Sequence, residues 1–173
     1  MQNYFELFHL PVSFTPPKDV VRKNYVNLSK EHHPDHFAQS DEAAQEKALQ
    51  LSAEVNKAYK VFNNKQATIK YVLGLKGILQ DDEKYNLAPD FLMEMMEINE
   101  SVAEINLESN TRAKENIHQQ LAAIEKEIYE PIANIIENYK DGVTTNEELL
   151  QVKDYYFKKK YLARIYDALN GML

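Results

Sequence analysis

The chain has 173 residues and a mass of 20.1 kDa, enough for one compact domain or two small ones. It is 44% hydrophobic and 27% charged, with a net charge of −7, 4 glycines, 6 prolines and 0 cysteines. That composition excludes disulfides, thiolate metal sites and cysteine nucleophiles, speaks against a disordered or collagen-like chain, and makes the chain as a whole repel nucleic acid. No apolar run reaches the roughly 18 residues that a membrane span needs. Met1-Gln2-Asn3-Tyr4 shows neither the basic start nor the apolar core of a signal peptide, so the expected location is cytoplasmic, or an organelle matrix if a transit segment was removed.

The elements read as almost all helix, with no hairpin turn signal and no clean two-residue alternation. Residues 3–8 form a short apolar turn of helix, ended by Leu10-Pro11. Thr15 is placed as the N-cap of the next helix with Pro16 at its first position, where a missing N–H costs nothing. Val21, Tyr25, Leu28 and His32 share one stripe of it, and Pro34 stops it by driving the preceding residue out of the α region. A loop runs from His33 to about Gln39. Ser40 or Asp41 caps the next helix, where Ala44, Ala48, Leu51, Val55, Ala58 and Phe62 fall at 3.6-residue spacing. Asn63-Asn64 ends it, and a shorter helix, 67–75, closes on Gly74 and Gly77.

The character then changes. The stretch 80–86 is polar, and Pro89 opens three longer helical segments at about 89–107, 111–139 and 146–170. Pro131 should kink or end the second, and Thr145-x-x-Glu148 is a capping box opening the third. Lys140-Asp141-Gly142 is short, which makes the last two helices antiparallel neighbours. The expected division is 1–76, a linker at 77–86, and 87–173.

On the first of these helices, residues about 100° apart put Phe91, Met95, Ile98, Val102 and Ile105 on one narrow seam. Leu92 and Met96 fall about 100–140° from it and Met93 nearly opposite, with Glu97, Glu100 and Glu104 on the same outer side. Either a wide core or contact with the first unit buries Leu92 and Met96, or the three form a protein-binding patch of adaptable side chains rimmed by carboxylates, suited to an apolar partner surrounded by Lys or Arg. Lys158-Lys159-Lys160 with Arg164 reads as a solvated helix face and not as a nucleic-acid site, given the acidic total.

The densest cluster of unusual residues is His32-His33-Pro34-Asp35-His36. A metal site would use the histidines and the aspartate, but Pro34 breaks the helical spacing that puts two His ligands on one face. A general base, His33 oriented by Asp35, would need a nucleophile and a pocket that so small a unit offers little room for. A polar loop over a packed His32 is the plainest reading.

Arg22-Lys23-Asn24-Tyr25, then Leu28, then His33-Pro34-Asp35, with Phe37 and the Ala-rich stripe after them, resembles the J-domain pattern over roughly residues 4–75. The resemblance implies that His33, Pro34 and Asp35 engage a DnaK-type ATPase chaperone and stimulate its hydrolysis. It places Arg22, Lys23, Tyr25 and Lys30 on or near the helix that meets that partner. Val26, Asn27 and His36 stand where J-domains often carry basic residues, so the attractive field of this helix is weaker here, which implies either a modest affinity or more reliance on Lys47, Lys57 and Lys60, whose default reading is a solvated face. The glycine-rich linker and cysteine-rich zinc modules of a general DnaJ-type protein are missing from this composition.

The segment after the J-like unit resembles HscB, the J-type co-chaperone of iron–sulfur cluster assembly, through Phe91-Leu92-Met93-Glu94-Met95-Met96-Glu97 with Glu100 and Glu104. Leu7-Phe8 before Leu10-Pro11, and Tyr71-Val72-Leu73 before Gly77, are similar to that family as well. The fold it implies is all-α and L-shaped: an N-terminal J-domain, built on an antiparallel helical hairpin with short flanking helices, plus a C-terminal three-helix bundle. The function it implies is a non-enzymatic co-chaperone, without cofactor or metal, that carries an IscU-type scaffold to an HscA/DnaK-type chaperone. The scaffold-binding residues it marks are Leu92, Met93, Met96, Glu97, Glu100, Glu104 and Phe157. Three rivals remain: a J-domain protein serving another client, a metal-dependent enzyme using His32, His33, Asp35 and His36, and an interaction protein whose tripeptide is accidental.

Overall fold

The structure, a computed structural model, describes residues 2–108 and 111–171, the side chains of 106–108 excepted; residues 109, 110, 172 and 173 of the expected second unit lie outside it. The chain is all-α and divides into two units, one made of residues 1–76 with 136–143, the other of 77–135 with 144–173.

The first unit begins with α1 (Tyr4–Leu7), whose N-terminus is closed reciprocally: the Asn3 side chain accepts the Glu6 N–H and the Glu6 carboxylate accepts the Asn3 N–H, both at 3.0 Å. The next helix, α2, spans Lys18–Glu31, and Thr15 is not its cap. The proline rule that stops this helix at its far end also acts at its start. Pro16 precedes Pro17 and is held out of the α region, so helical geometry begins only after Pro17, which has no side-chain cap to offer. Asp41 caps α3 (Glu42–Phe62), accepting the Ala44 N–H at 2.8 Å, and Asn64 caps α4 (Lys65–Leu75) in the same way at 2.9 Å. Gly77 follows α4 at φ +68°, a conformation that glycine adopts without a Cβ penalty.

The α2 and α3 helices pack as a hairpin over a core of Val21, Leu28, Ala48, Val55, Ala58 and Phe62. Phe5 and Phe8 close one end, their ring centroids 4.9 and 5.2 Å from Phe62. Residues 136–143 complete this unit. The Tyr139 ring meets buried Phe14 edge-on at 4.9 Å, and Lys76 pairs with Asp141. Burial pushes the Tyr139 hydroxyl up to about 12, and Lys76 holds the Asp141 carboxyl below its ordinary range.

The second unit is a helical bundle of α5 (Pro89–Glu108), α6 (Thr111–Tyr129) and α8 (Asn146–Leu169). Pro131 ends the expected 111–139 helix early: a 3-10 turn, Glu130–Ile132, comes after Tyr129 and leads into the short α7 (Ala133–Glu137). The Thr145 capping box opens α8. Phe91, Met95, Ile98 and Val102 of α5 are buried against Ile117, Leu121 and Ile124 of α6 and Leu162, Ile165 and Leu169 of α8, with Ile105 half-buried beside them. The polar stretch before α5 is anchored to α8. Buried Lys153 donates to the Ile78 carbonyl at 2.8 Å and to Glu83 at 2.5 Å, and the Tyr85 ring lies flat on Phe157 at 4.5 Å. Among the described residues no helix is long and apolar enough to cross a membrane.

Candidate functional site

In the first unit the loop after α2 is a built turn. His33 takes an extended backbone (φ −65°, ψ 125°), as a residue before proline must, and Pro34 starts a 3-10 turn, Pro34–Phe37, that packs on α3. His33 caps it, its Nδ1 accepting the Asp35 N–H at 3.3 Å. That bond occupies the Nδ1 lone pair, so in the neutral ring the proton sits on Nε2, which is left to donate elsewhere. The Asp35 Oδ2 lies 3.6 Å from the same Nδ1. The Asp35 side chain is 87% exposed and that of His33 53%. Pro34 is half-buried. The turn therefore holds one carboxylate and one imidazole toward solvent with little backbone freedom left to lose.

Arg22, Lys23 and Lys30 are exposed on α2. Tyr25 is half-buried and largely committed to the hairpin, its ring stacked on Tyr59 at 3.9 Å and its hydroxyl donating to Asn56 at 2.9 Å. Lys47 and Lys60 are exposed on α3, and Lys57 pairs with Glu54 at 3.0 Å. His32 is half-buried and His36 exposed, with its ring 6.0 Å from that of His33. Among the described residues no group of three His, Asp or Glu side chains is placed to hold a metal ion.

In the second unit α5 turns its seam inward and leaves Met93 62% and Met96 57% exposed, with Leu92 half-buried between the two environments. Glu97, Glu100 and Glu104 are exposed on the same helix. Large exposed methionines adapt their shape to a partner, and the carboxylates around them favour a partner with cationic side chains. Phe157 stands on α8 and is half-buried, one ring face covered by Tyr85 and its edge meeting Tyr156 at 5.3 Å. The Tyr85 hydroxyl donates to Asp154 at 2.9 Å, and burial pushes its pKa up to about 12. Phe157 thus offers a partner only the parts of its ring that Tyr85 and Tyr156 leave open.

Sequence reasoning passed over Leu49, which is 61% exposed on α3. The signal was available: Leu49 lies about 120° from the Ala48–Val55–Phe62 stripe, the same departure from a seam that singled out Leu92 and Met96.

A family model described as the HSCB C-terminal oligomerisation domain matches residues 87–170. The co-chaperone protein HscB homolog of Vibrio vulnificus (strain CMCP6) is 34% identical over 175 residues, covering 97% of this chain and 95% of that protein. The homolog of Azoarcus sp. (strain BH72) is 27% identical over 172 residues, with 99% and 96% covered. Among solved structures, the chaperone HscB from Vibrio cholerae superposes with a TM-score of 0.76 at 26% identity, covering 98% of this chain and 96% of that one. The human co-chaperone protein HscB superposes at 0.80 with 26% identity, covering 98% of this chain and 81% of that one.

Proposed function

The chain belongs to the HscB family of J-domain co-chaperones of iron–sulfur cluster assembly, and on that premise we propose which of its surfaces meets which partner. The protein is a co-chaperone and not itself an enzyme. It binds an IscU-type scaffold, delivers it to an HscA/DnaK-type chaperone and stimulates that chaperone's ATPase. No bond is made or broken by this chain; it biases a conformational equilibrium in another protein.

The ATPase meets the first unit. Asp35 accepts charge-assisted hydrogen bonds from an arginine of the partner, and His33 donates from Nε2. Arg22, Lys23 and Lys30 steer an acidic surface of the partner toward the loop, while Tyr25 keeps α2 seated on α3. The scaffold meets the second unit. Leu92, Met93 and Met96 take its apolar side chains, Glu97, Glu100 and Glu104 its cationic rim, and Phe157 extends the contact onto α8. Carrying both surfaces on one chain raises the effective concentration of scaffold at the chaperone without any new contact. The reading places the protein in the cytoplasm, one of the compartments that supply such a chaperone with ATP.

The observation that carries this reading is that both sets of side chains stand in solvent: an 87% exposed carboxylate on a fixed turn in one unit, and two methionines more than half exposed among carboxylates in the other. The test is a calorimetric titration of the IscU-type scaffold into the full chain, followed by a chaperone ATPase assay with and without the scaffold. Binding, and a rate raised by the chain and raised further by chain and scaffold together, are expected. Absence of binding heat removes the iron–sulfur client, and absence of stimulation removes the role of the loop.

A further inference from the structure

Next to the loop lies a groove that the proposed contacts reach only at the tripeptide itself. The groove, of about 540 Å³, opens beside Pro34 and Asp35, and its other wall is the outward face of α3. The fold holds it in shape. The Gln45 Nε2 donates to the carbonyls of Ser40 at 2.9 Å and Ala38 at 3.4 Å, bracing the end of the turn against the start of α3. Leu49, 61% exposed, lines it from α3. An exposed leucine alone is ordinary. This one sits in a groove whose charged lining groups are Asp35, Glu42 and Glu46, with no lysine or arginine among the lining residues.

The two faces next to the tripeptide therefore differ in sign. The α2 face, with Arg22, Lys23 and Lys30, asks for an acidic surface; the α3 groove asks for a cation beside an apolar group. A partner docked the other way round would set like charges against each other on both faces, so the pair of faces selects orientation as well as partner.

We propose that this groove receives a segment of the ATPase chaperone that carries an arginine or lysine next to a large apolar side chain, the apolar group on Leu49 and the cation between Asp35, Glu42 and Glu46. The proposal rests on the reading that the loop engages the ATPase, and the experiment separates the two. The readout is the concentration of full-length chain that gives half-maximal stimulation of the chaperone's ATPase, measured for the parent, His33→Gln, Leu49→Ala, the double variant Glu42→Gln/Glu46→Gln, and Leu150→Ala. Leu150 is 50% exposed in the other unit and serves as the control for loss of a surface leucine. Leu49→Ala should raise the half-maximal concentration roughly tenfold. The glutamine pair should raise it about fivefold at low salt and by less at high salt, as screening predicts. Leu150→Ala should match the parent, and all variants should keep the parent's unfolding temperature within a few degrees, because the altered side chains are exposed. If His33→Gln abolishes stimulation while either groove variant keeps the parent's half-maximal concentration, the groove proposal is overturned and the loop reading stands. If the parent itself fails to stimulate, the loop reading falls and the groove falls with it.

Discussion

Replacing Met93 and Met96 together by alanine should weaken scaffold binding strongly and leave the fold intact, whereas replacing Met95, which lies between them in the sequence, should do the reverse. Fully burying a methionine side chain contributes about 1.5–3 kcal/mol. Met93 and Met96 retain 62% and 57% of their exposure, so a partner that covers them gains somewhat over half of that, about 1–2 kcal/mol each. Ordering two flexible side chains returns part of the gain, which leaves about 2–3 kcal/mol for the pair, a loss of roughly 30- to 150-fold in affinity. Met95 is 0% exposed in the seam, and Met95→Ala should cost about 2–5 kcal/mol of stability through lost contacts and the cavity left behind. Calorimetric titration with the IscU-type scaffold and thermal unfolding, run on the same preparations, measure both quantities. Parent-like affinity in Met93→Ala/Met96→Ala would refute the assignment of the patch. An unfolding temperature lowered as far as that of Met95→Ala would refute the reading of those residues as surface.

Asp35→Asn keeps the shape of the side chain and removes its charge. Stimulation of the chaperone should fall at least about tenfold in the ATPase assay, with no change in thermal unfolding, since a hydrogen bond to a charged group contributes about 1.5–3 kcal/mol and this side chain makes no buried contact to lose. The Glu83 carboxyl is held below its ordinary value of 4.5 by the Lys153 ammonium and by the Gln80 N–H. A lowered native pKa stabilises the fold above the unfolded value and ceases to do so as pH falls through the native one. The stability difference between the parent and Glu83→Gln should therefore be full at neutral pH and shrink below about pH 4.5, as monitored by urea unfolding at a series of pH values. Thr145→Ala opens the capping box of α8 and should cost about 1 kcal/mol, read as a lowered urea midpoint.

Periodic features were legible in the sequence because they repeat. The α5 seam comes from 3.6-residue spacing alone, and the exposure of Met93 and Met96 comes from the seam. The turn at Pro34 was legible because proline constrains its neighbour whatever surrounds it. The start of α2 departs from its expected place because two rules compete there. Thr15 and Pro16 look like a helix start in isolation, but Pro17 forbids α geometry at Pro16. The 3-10 turn at Pro34–Phe37 is too short to leave a periodic signal. Contacts between residues far apart in the chain left no local trace: Lys153 meets a carboxylate 70 residues upstream, and the Phe157 ring is covered by Tyr85. An ammonium inside a helical bundle is costly without a partner, and nothing near Lys153 in the sequence announces that Glu83 supplies one.

The most direct test of the division of labour is the chaperone's single-turnover ATPase rate, measured with and without the IscU-type scaffold for the parent, Asp35→Asn and Met93→Ala/Met96→Ala. Asp35→Asn should bind the scaffold as the parent does and stimulate neither condition. Met93→Ala/Met96→Ala should stimulate like the parent without scaffold and lose the further increase that the scaffold brings. Loss of both activities in either variant, or stimulation preserved in Asp35→Asn, would contradict the account.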